Sequence, residues 1–475
     1  MVQYLVPYLS KSAISSPRTS LTQTHMCRFT TTESNPSAMS TVRLLRCYMA
    51  VASVGAVVGF SSSSSIRSTH YSQRTNKIIT RPPAIMFVDG LRDIGVKPPI
   101  TPKSDDDDSS LLGNLQVPNV GIGTISWSST SPLGLENLEL QSLVNTACEA
   151  NAAFFDTAER YGSHYKTAIG MGWGETERMT NKLLKNAPQK ENCLTPVVAT
   201  KFTPSPWRTS VESVVEACRQ SCERLGVEQI DLYQLHMPDI VQPFRFLGQE
   251  KSKDEIYWEG LAECYKQGLV KNVGVCNYGP SLLARCQQVL AKHDVPLASN
   301  QIAYSLIGRH NGAQETVDYC NKNGIKVLAF FPFAMGLLTG KYSALPDHAA
   351  VPGQVELSLN KSQKTSLEER DLRRYSGGMA PLLSVMREIA RTRGKTLAQI
   401  ALNYIICQGA IPIPGARTTA QLNDNLGAMG WRLTLSEIAR LEAAAVSLGF
   451  GFEGAGFKRT SEKFVGYGVE KWRLD

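Results

Sequence analysis

Eight short apolar runs, each followed by a stretch that reads as helix, predict an α/β fold: a (β/α)8 TIM barrel carrying a disordered N-terminal targeting extension. The runs lie at 119–125, 152–156, 196–201, 230–236, 271–276, 298–303, 325–331 and 410–414. Most are apolar throughout rather than alternating, as strands covered on both faces are. Several close on a polar residue, which places chemistry at the C-terminal strand ends.

Helical patterns separate the runs, at 180–184, 210–225, 255–266, 280–292, 314–322, 386–393, 397–406 and 436–445. In 210–225, Val211, Val214, Val215, Cys218, Cys222 and Leu225 fall on one helix face. Pro280 suits a first helical turn, where its missing N–H removes no bond. The gap between the seventh and eighth runs, 332–409, holds an irregular charged insertion at roughly 343–378. It is expected to cover the active site or the cofactor.

The barrel is assigned to 113–475 and the presequence with its linker to 1–112. Residues 1–85 are rich in Ser, Thr and Arg with one acid, Glu33, a transit-peptide composition. Within them, Arg43 and Arg46 precede an apolar run at 47–58, which is too short to span a bilayer comfortably. Phe60 and a second Ser/Arg-rich stretch follow. That order resembles a bipartite plastid presequence, with Met39 or Met49 as a candidate start. The alternative is an untargeted extension on a cytoplasmic protein. The Asp105–Asp108 run reads as a solvated linker.

The net charge of +8 comes from the extension: residues 1–100 hold eleven Lys/Arg against three acids, and the rest balances at 39 against 39. The body thus offers no electrostatic case for nucleic acid or for stable membrane association. Eleven cysteines are scattered without metal spacing. Cys218 and Cys222 lie one helical turn apart, but no second pair completes a zinc site, so no metal is expected. Gly170–Gly174 lacks a P-loop lysine and reads as a turn near the substrate mouth.

Asp156 closes the second run, Lys201 the third and His236 the fourth, and Tyr161 lies just past Asp156. An ammonium beside a phenol stabilises phenolate and lowers the phenol's pKa from ~10. Asp156 would keep Lys201 charged and oriented, and His236 would hydrogen-bond a carbonyl or relay its proton. The set predicts a general acid, tuned towards neutrality, for carbonyl reduction.

These residues resemble the catalytic tetrad of the aldo-keto reductases. The resemblance runs from about 113 to 450 through Phe-Asp-Thr-Ala-Glu-Arg-Tyr-Gly (155–162), Asp-Leu-Tyr-Gln-Leu-His (231–236), Asn-Gln-Ile-Ala-Tyr-Ser-Leu (300–306), Gly-Leu-Leu-Thr-Gly-Lys (336–341) and Ile-Pro-Ile-Pro-Gly-Ala-Arg (411–417). The last stretch is most similar to plastid and cyanobacterial members. The resemblance implies NADPH lying across the barrel mouth and a small-molecule aldehyde or ketone as substrate, reduced to the alcohol. By motif position it places Asn277 and Gln301 on the nicotinamide carboxamide and Phe330, followed by Pro332, on the nicotinamide ring. It places Gly415, Arg417, Gln421 and Asn425 at the adenosine 2′-phosphate and adenine. Arg417 supplies the charge that favours NADP over NAD.

Two residues depart from the family pattern. Cys276 stands where a Ser is usual, and a thiol is the weaker hydrogen-bond donor. It is expected to loosen the grip on the carboxamide, and a redox-sensitive thiol is the other reading. Phe331 replaces a second Ser and makes that wall more apolar. Trp127, Trp207, Trp258 and Phe244 are candidate walls of a substrate pocket, and the tail at 449–457 is a further candidate. Two other functional readings stand beside the reductase: a regulatory, redox-sensing NADPH-binding subunit with slow turnover, and a reductase whose aldehyde is pyridoxal. Oligomeric state is not legible.

Overall fold

The computed structural model describes residues 108–127, 135–162, 173–188, 195–239, 252–309, 312–341 and 378–448. The presequence as far as 107, the expected insertion at roughly 343–378 except for its last residue, Phe244 and the tail at 449–457 lie outside the described residues.

Strands β1 (Ser109–Leu112) and β2 (Leu115–Pro118) pair as an antiparallel hairpin. Strand pairing thus begins within the stretch expected to be linker, and Asp108 itself accepts a bond from Gly430 N. Eight parallel strands follow in chain order: β3 (Ile122–Gly123), β4 (Phe154–Asp156), β5 (Val197–Phe202), β6 (Leu232–Leu235), β7 (Val273–Cys276), β8 (Leu297–Ala303), β9 (Lys326–Phe330) and β10 (Ile411–Pro412). The sheet closes on itself where Gly121 N and Gly123 N donate to the carbonyls of Pro412 and Pro414, both at 2.9 Å, and Gly123 pairs with Gly415. The two seam strands are shorter than expected. Pro412 and Pro414 accept bonds there but have no N–H to extend the ladder.

The outer ring comprises α1 (Leu135–Glu149), α2 (Glu175–Lys185), α3 (Val211–Leu225), α4 (Asp254–Lys266), α5 (Pro280–Ala291), α6 (Ala313–Lys322), α7 (Ala380–Arg393), α8 (Leu397–Cys407), α9 (Thr419–Leu426) and α10 (Leu435–Val446). Their ends carry the expected chemistry. The Ser210 side chain accepts from Ser213 N at the start of α3, and Gly226 closes that helix in the left-handed region at φ 68. Thr396 with Gln399, and Thr434 with Glu437, form capping boxes on α8 and α10. None of the helices among the described residues is long and apolar enough to cross a membrane.

Period-two alternation sorts the strand side chains into two environments. Outward residues such as Val198, Phe202, Tyr233, Leu235, Val273, Val275, Val327 and Ala329 pack in one apolar core with α3 to α8. Inward residues Phe154, Ala199, Leu232, Ala298, Leu328, Ile411 and Ile413 form a second core with Leu112 and Val117 of the hairpin. The hairpin therefore plugs one end of the barrel with apolar side chains. Two residues further along the same strands the inward side chains change character: Asp156 follows Phe154, Lys201 follows Ala199 and Gln234 follows Leu232. The barrel interior is apolar at its N-terminal end and polar at the other.

Candidate functional site

Lys201 is fully buried, and its ammonium meets three acceptors: Asp156 Oδ2 at 2.7 Å, the Thr157 carbonyl at 2.7 Å and Tyr161 Oη at 3.2 Å. An ammonium has three N–H donors, so the set is saturated. Asp156 Oδ1 accepts from Gln301 Nε2 at 2.8 Å and from Gln234 Nε2 at 3.5 Å. Ser299 and Cys276 face Gln234 Oε1 at 3.4 and 3.9 Å and complete this layer. His236 lies edge-on to Tyr161, with ring centroids 5.8 Å apart, and its Nδ1 sits 3.3 Å from Thr203 Oγ1. The structure thus brings Asp156, Tyr161, Lys201 and His236 together at adjoining strand ends.

Burial alone would push the Lys201 amine towards neutrality. The Asp156 carboxylate and the Tyr161 hydroxyl outweigh it and hold the ammonium above its usual range. Tyr161 departs from the sequence expectation. Lys201 does pull its pKa down, but burial is the larger effect and pushes the phenol up to about 12. At neutral pH it is a fully protonated hydroxyl, not a half-ionised one. His236 is driven well below the ordinary imidazole range, first by burial and then by the positive charges of Lys201 and Arg160. It is neutral at physiological pH.

The expected cofactor residues divide into two groups. Asn277 is left-handed (φ 64); its N–H donates to the Gln301 carbonyl at 2.9 Å and its amide lies 3.4 Å from the His236 carbonyl. Gln301 spends its amide N–H on Asp156, so the sequence anticipated only part of its surroundings. Phe330 ends β9 edge-on to Phe331, with centroids 5.1 Å apart, and buried Pro332 follows. Phe331 is left-handed (φ 54) and exposed. The second group follows β10. Arg417 and Gln421 are exposed, with Arg417 N bonded to Gln421 Oε1 at 2.9 Å, and Gly415 sits at the barrel seam. Asn425 is buried in the last turn of α9. The donor set fits a dinucleotide phosphate: amides and aromatic faces at one end, an exposed guanidinium beside a helix start at the other.

The wall residues sort differently from expectation. Trp127 is fully buried, packs on Phe155 and donates to the Ala416 carbonyl at 2.9 Å. Trp258 is also fully buried and donates to Tyr278 at 3.1 Å. Both are packing residues rather than pocket walls. Trp207 is 52% exposed and lies 6.4 Å from Trp173. Cys276 is buried, and burial pushes its thiol up against the pull of Lys201, so the redox-sensitive reading loses the thiolate it needs.

A family model described as "Aldo/keto reductase family" matches residues 119–446. The chain belongs to the aldo/keto reductase family. It is 35% identical over 342 residues to a chloroplastic pyridoxal reductase of Arabidopsis thaliana, across 70% of this chain and 85% of that protein. It is 25% identical over 334 residues to deoxymugineic acid synthase 1 of rice, across 68% and 86%. A solved glycerol dehydrogenase from Gluconobacter oxydans superposes with a TM-score of 0.54 at 21% identity, across 73% and 96%, and so shares the fold. Membership of the aldo/keto reductases makes this chain an NADP-dependent oxidoreductase.

In this aldo/keto reductase, several residues at the site were not singled out from sequence. Gln234 braces Asp156, Thr203 meets His236, and buried Glu159 forms an ion pair with half-buried Arg208 behind them. Glu159 stands inside the motif between Asp156 and Tyr161, next to Arg160, and that position was the available signal.

The depressed His236 pKa has a definite sign. The folded state binds fewer protons than the unfolded one, so His236 lowers stability progressively as pH falls below ~6.5 and is without effect above it. NMR of the imidazole is expected to show a neutral ring throughout pH 6 to 8; a midpoint near 6.5 contradicts the assignment.

Proposed function

We propose that the chain reduces an aldehyde or ketone to the alcohol with NADPH, Tyr161 acting as general acid. One observation carries the reading. Lys201 donates to Tyr161 Oη, so the phenol oxygen is already an acceptor and its own hydrogen is left to donate elsewhere. Bound NADPH supplies hydride. A carbonyl oxygen that gains negative charge beside Tyr161 becomes an alkoxide, a far stronger base than a phenolate. A phenol held near 12 therefore still gives up its proton, and remains loaded with it at every physiological pH.

The other roles follow from the contacts. Lys201 stabilises the phenolate left behind, and its ammonium is kept in place by Asp156. Neutral His236 has one donor and one acceptor nitrogen. If the Thr203 hydroxyl donates to Nδ1, the Nε2–H is left to orient the substrate oxygen. Asn277 and Gln301 would hold the nicotinamide end and Phe330 with Pro332 its ring, while Gly415, Arg417, Gln421 and Asn425 would hold the phosphate and adenine end. Among carbonyls, pyridoxal is the first candidate, because that aldehyde is named for the Arabidopsis relative. The plastid is the proposed location, supported by the presequence composition and by the chloroplastic label of the same relative.

Tyr161→Phe is expected to lower kcat for carbonyl reduction by roughly 10²–10⁴-fold, with NADPH affinity little changed. A panel of pyridoxal and short reactive carbonyls, run with NADPH and NADH, is the measurement. Undiminished turnover in the variant, or equal use of both cofactors, contradicts the assignment. A fluorescent protein fused to residues 39–100 is expected to enter the plastid, and a cytosolic signal would sink that location.

A further inference from the structure

Glu159 is 1% exposed, and its carboxylate hydrogen-bonds to one neighbouring loop, with Arg224 of α3 a more distant ion-pair partner of Oε2 at 3.9 Å. Its Oε1 accepts from Arg208 Nη1 at 2.5 Å and from Thr203 N at 2.6 Å, and its Oε2 accepts from Arg208 Nη2 at 3.1 Å. Arg208 Nη1 also donates to the Thr203 carbonyl at 3.0 Å. The pair therefore grips both backbone polar groups of Thr203, whose hydroxyl touches His236. On its other side, Glu159 lies two residues before Tyr161 on the same turn. The Glu159 and Tyr161 carbonyls are bonded by Gly174 N at 2.5 Å and Thr176 N at 3.4 Å.

Arg208 is itself fixed. Its guanidinium lies over the rings of Phe202, at 4.6 Å, and Trp173, at 4.8 Å, and its carbonyl accepts from Tyr257 at 2.8 Å. A largely buried, bidentate ion pair adds little net stability over a well-packed apolar pair, because desolvation offsets the attraction. Its planar fork does impose geometry.

We propose that the Glu159–Arg208 pair is a positioning element of the reductase site, holding the Tyr161 turn and the Thr203–His236 contact in one register. The phenol and the imidazole then converge on one carbonyl oxygen without either being touched by the pair. This rests on the roles proposed for Tyr161 and His236. The geometric tolerance of such sites makes the role consequential: displacement of a reacting group by about 1 Å can cost on the order of 10²-fold in rate.

Glu159→Gln keeps a hydrogen-bond acceptor for Thr203 N but removes the charge and the bidentate fork. Arg208→Lys keeps the charge and loses the fork. Both are compared with wild type for kcat per titrated NADPH site, carbonyl KM, NADPH Kd and thermal midpoint. Normalising to cofactor sites removes any misfolded fraction. The expected result is a kcat lowered by roughly 10–100-fold in Glu159→Gln, and less in Arg208→Lys, with NADPH Kd within about twofold of wild type. A pair that served stability alone would lower the thermal midpoint and leave kcat per site unchanged, and that result overturns the proposal. If Glu159→Gln gives no folded protein, Arg208→Lys decides by the same criterion. Tyr161→Phe is run in parallel. If it retains full turnover, the reading of the site has failed; if it is inactive while both pair variants turn over normally, only the positioning role has failed.

Discussion

Lys201 carries a positive charge in the interior of a barrel, away from water, and the polar end of the fold is organised around that charge. An ammonium moved into such a place without partners costs several kcal/mol. Here all three of its N–H groups are matched, by Asp156, the Thr157 carbonyl and Tyr161. Asp156, exposed by only 4%, is matched in turn by Lys201, Gln301 and Gln234. Four strands, β4, β5, β6 and β8, contribute to this set, so their register and the site's geometry are one constraint. Removing either charge would strand the other, a loss of ~3–5 kcal/mol for buried pairs.

The same constraint sets the chemistry. Tyr161 is the one partner of Lys201 that retains partial exposure, and it is the one that faces outward to His236. Burial makes the phenol a poor acid in the resting site, while the ammonium favours its ionised form. These opposed influences describe a donor that stays loaded until a strong base forms beside it. Neutrality of the imidazole belongs to the same picture: a cationic His236 would add a second positive charge close to Lys201, and burial and Lys201 both oppose it.

Much of this was legible in the sequence. Largely apolar runs indicated the strands, since β5 to β9 are mostly buried on both faces. Polar residues at the run ends gave Asp156, Lys201 and His236, because a charge closing an apolar strand has few reasons to be there. Less was legible where the signal depends on partners distant in sequence. The hairpin of β1 and β2 is too short to show a period, yet Leu112 and Val117 complete the inner core. Helix α1 could be given no bounds from the sequence although Leu140, Leu143, Val144 and Ala147 are spaced as one face, because exposed Leu138 blurs the stripe. The raised pKa of Tyr161 was not readable either. Spacing reveals that an ammonium is near, whereas desolvation depends on how the loops pack. Trp127 and Trp258 show the same limit, since an indole reads alike in a wall and in a core until its N–H partner is known.

The central claim is that the buried ammonium activates the phenol rather than merely filling the barrel. Lys201→Met, made together with Asp156→Asn so that no carboxylate is stranded, isolates that claim. The quantity to measure is single-turnover carbonyl reduction by enzyme preloaded with NADPH. The account predicts a folded, NADPH-binding protein whose reduction step is slowed by roughly 10²-fold or more. Single-turnover reduction at the wild-type rate in that double variant would contradict it.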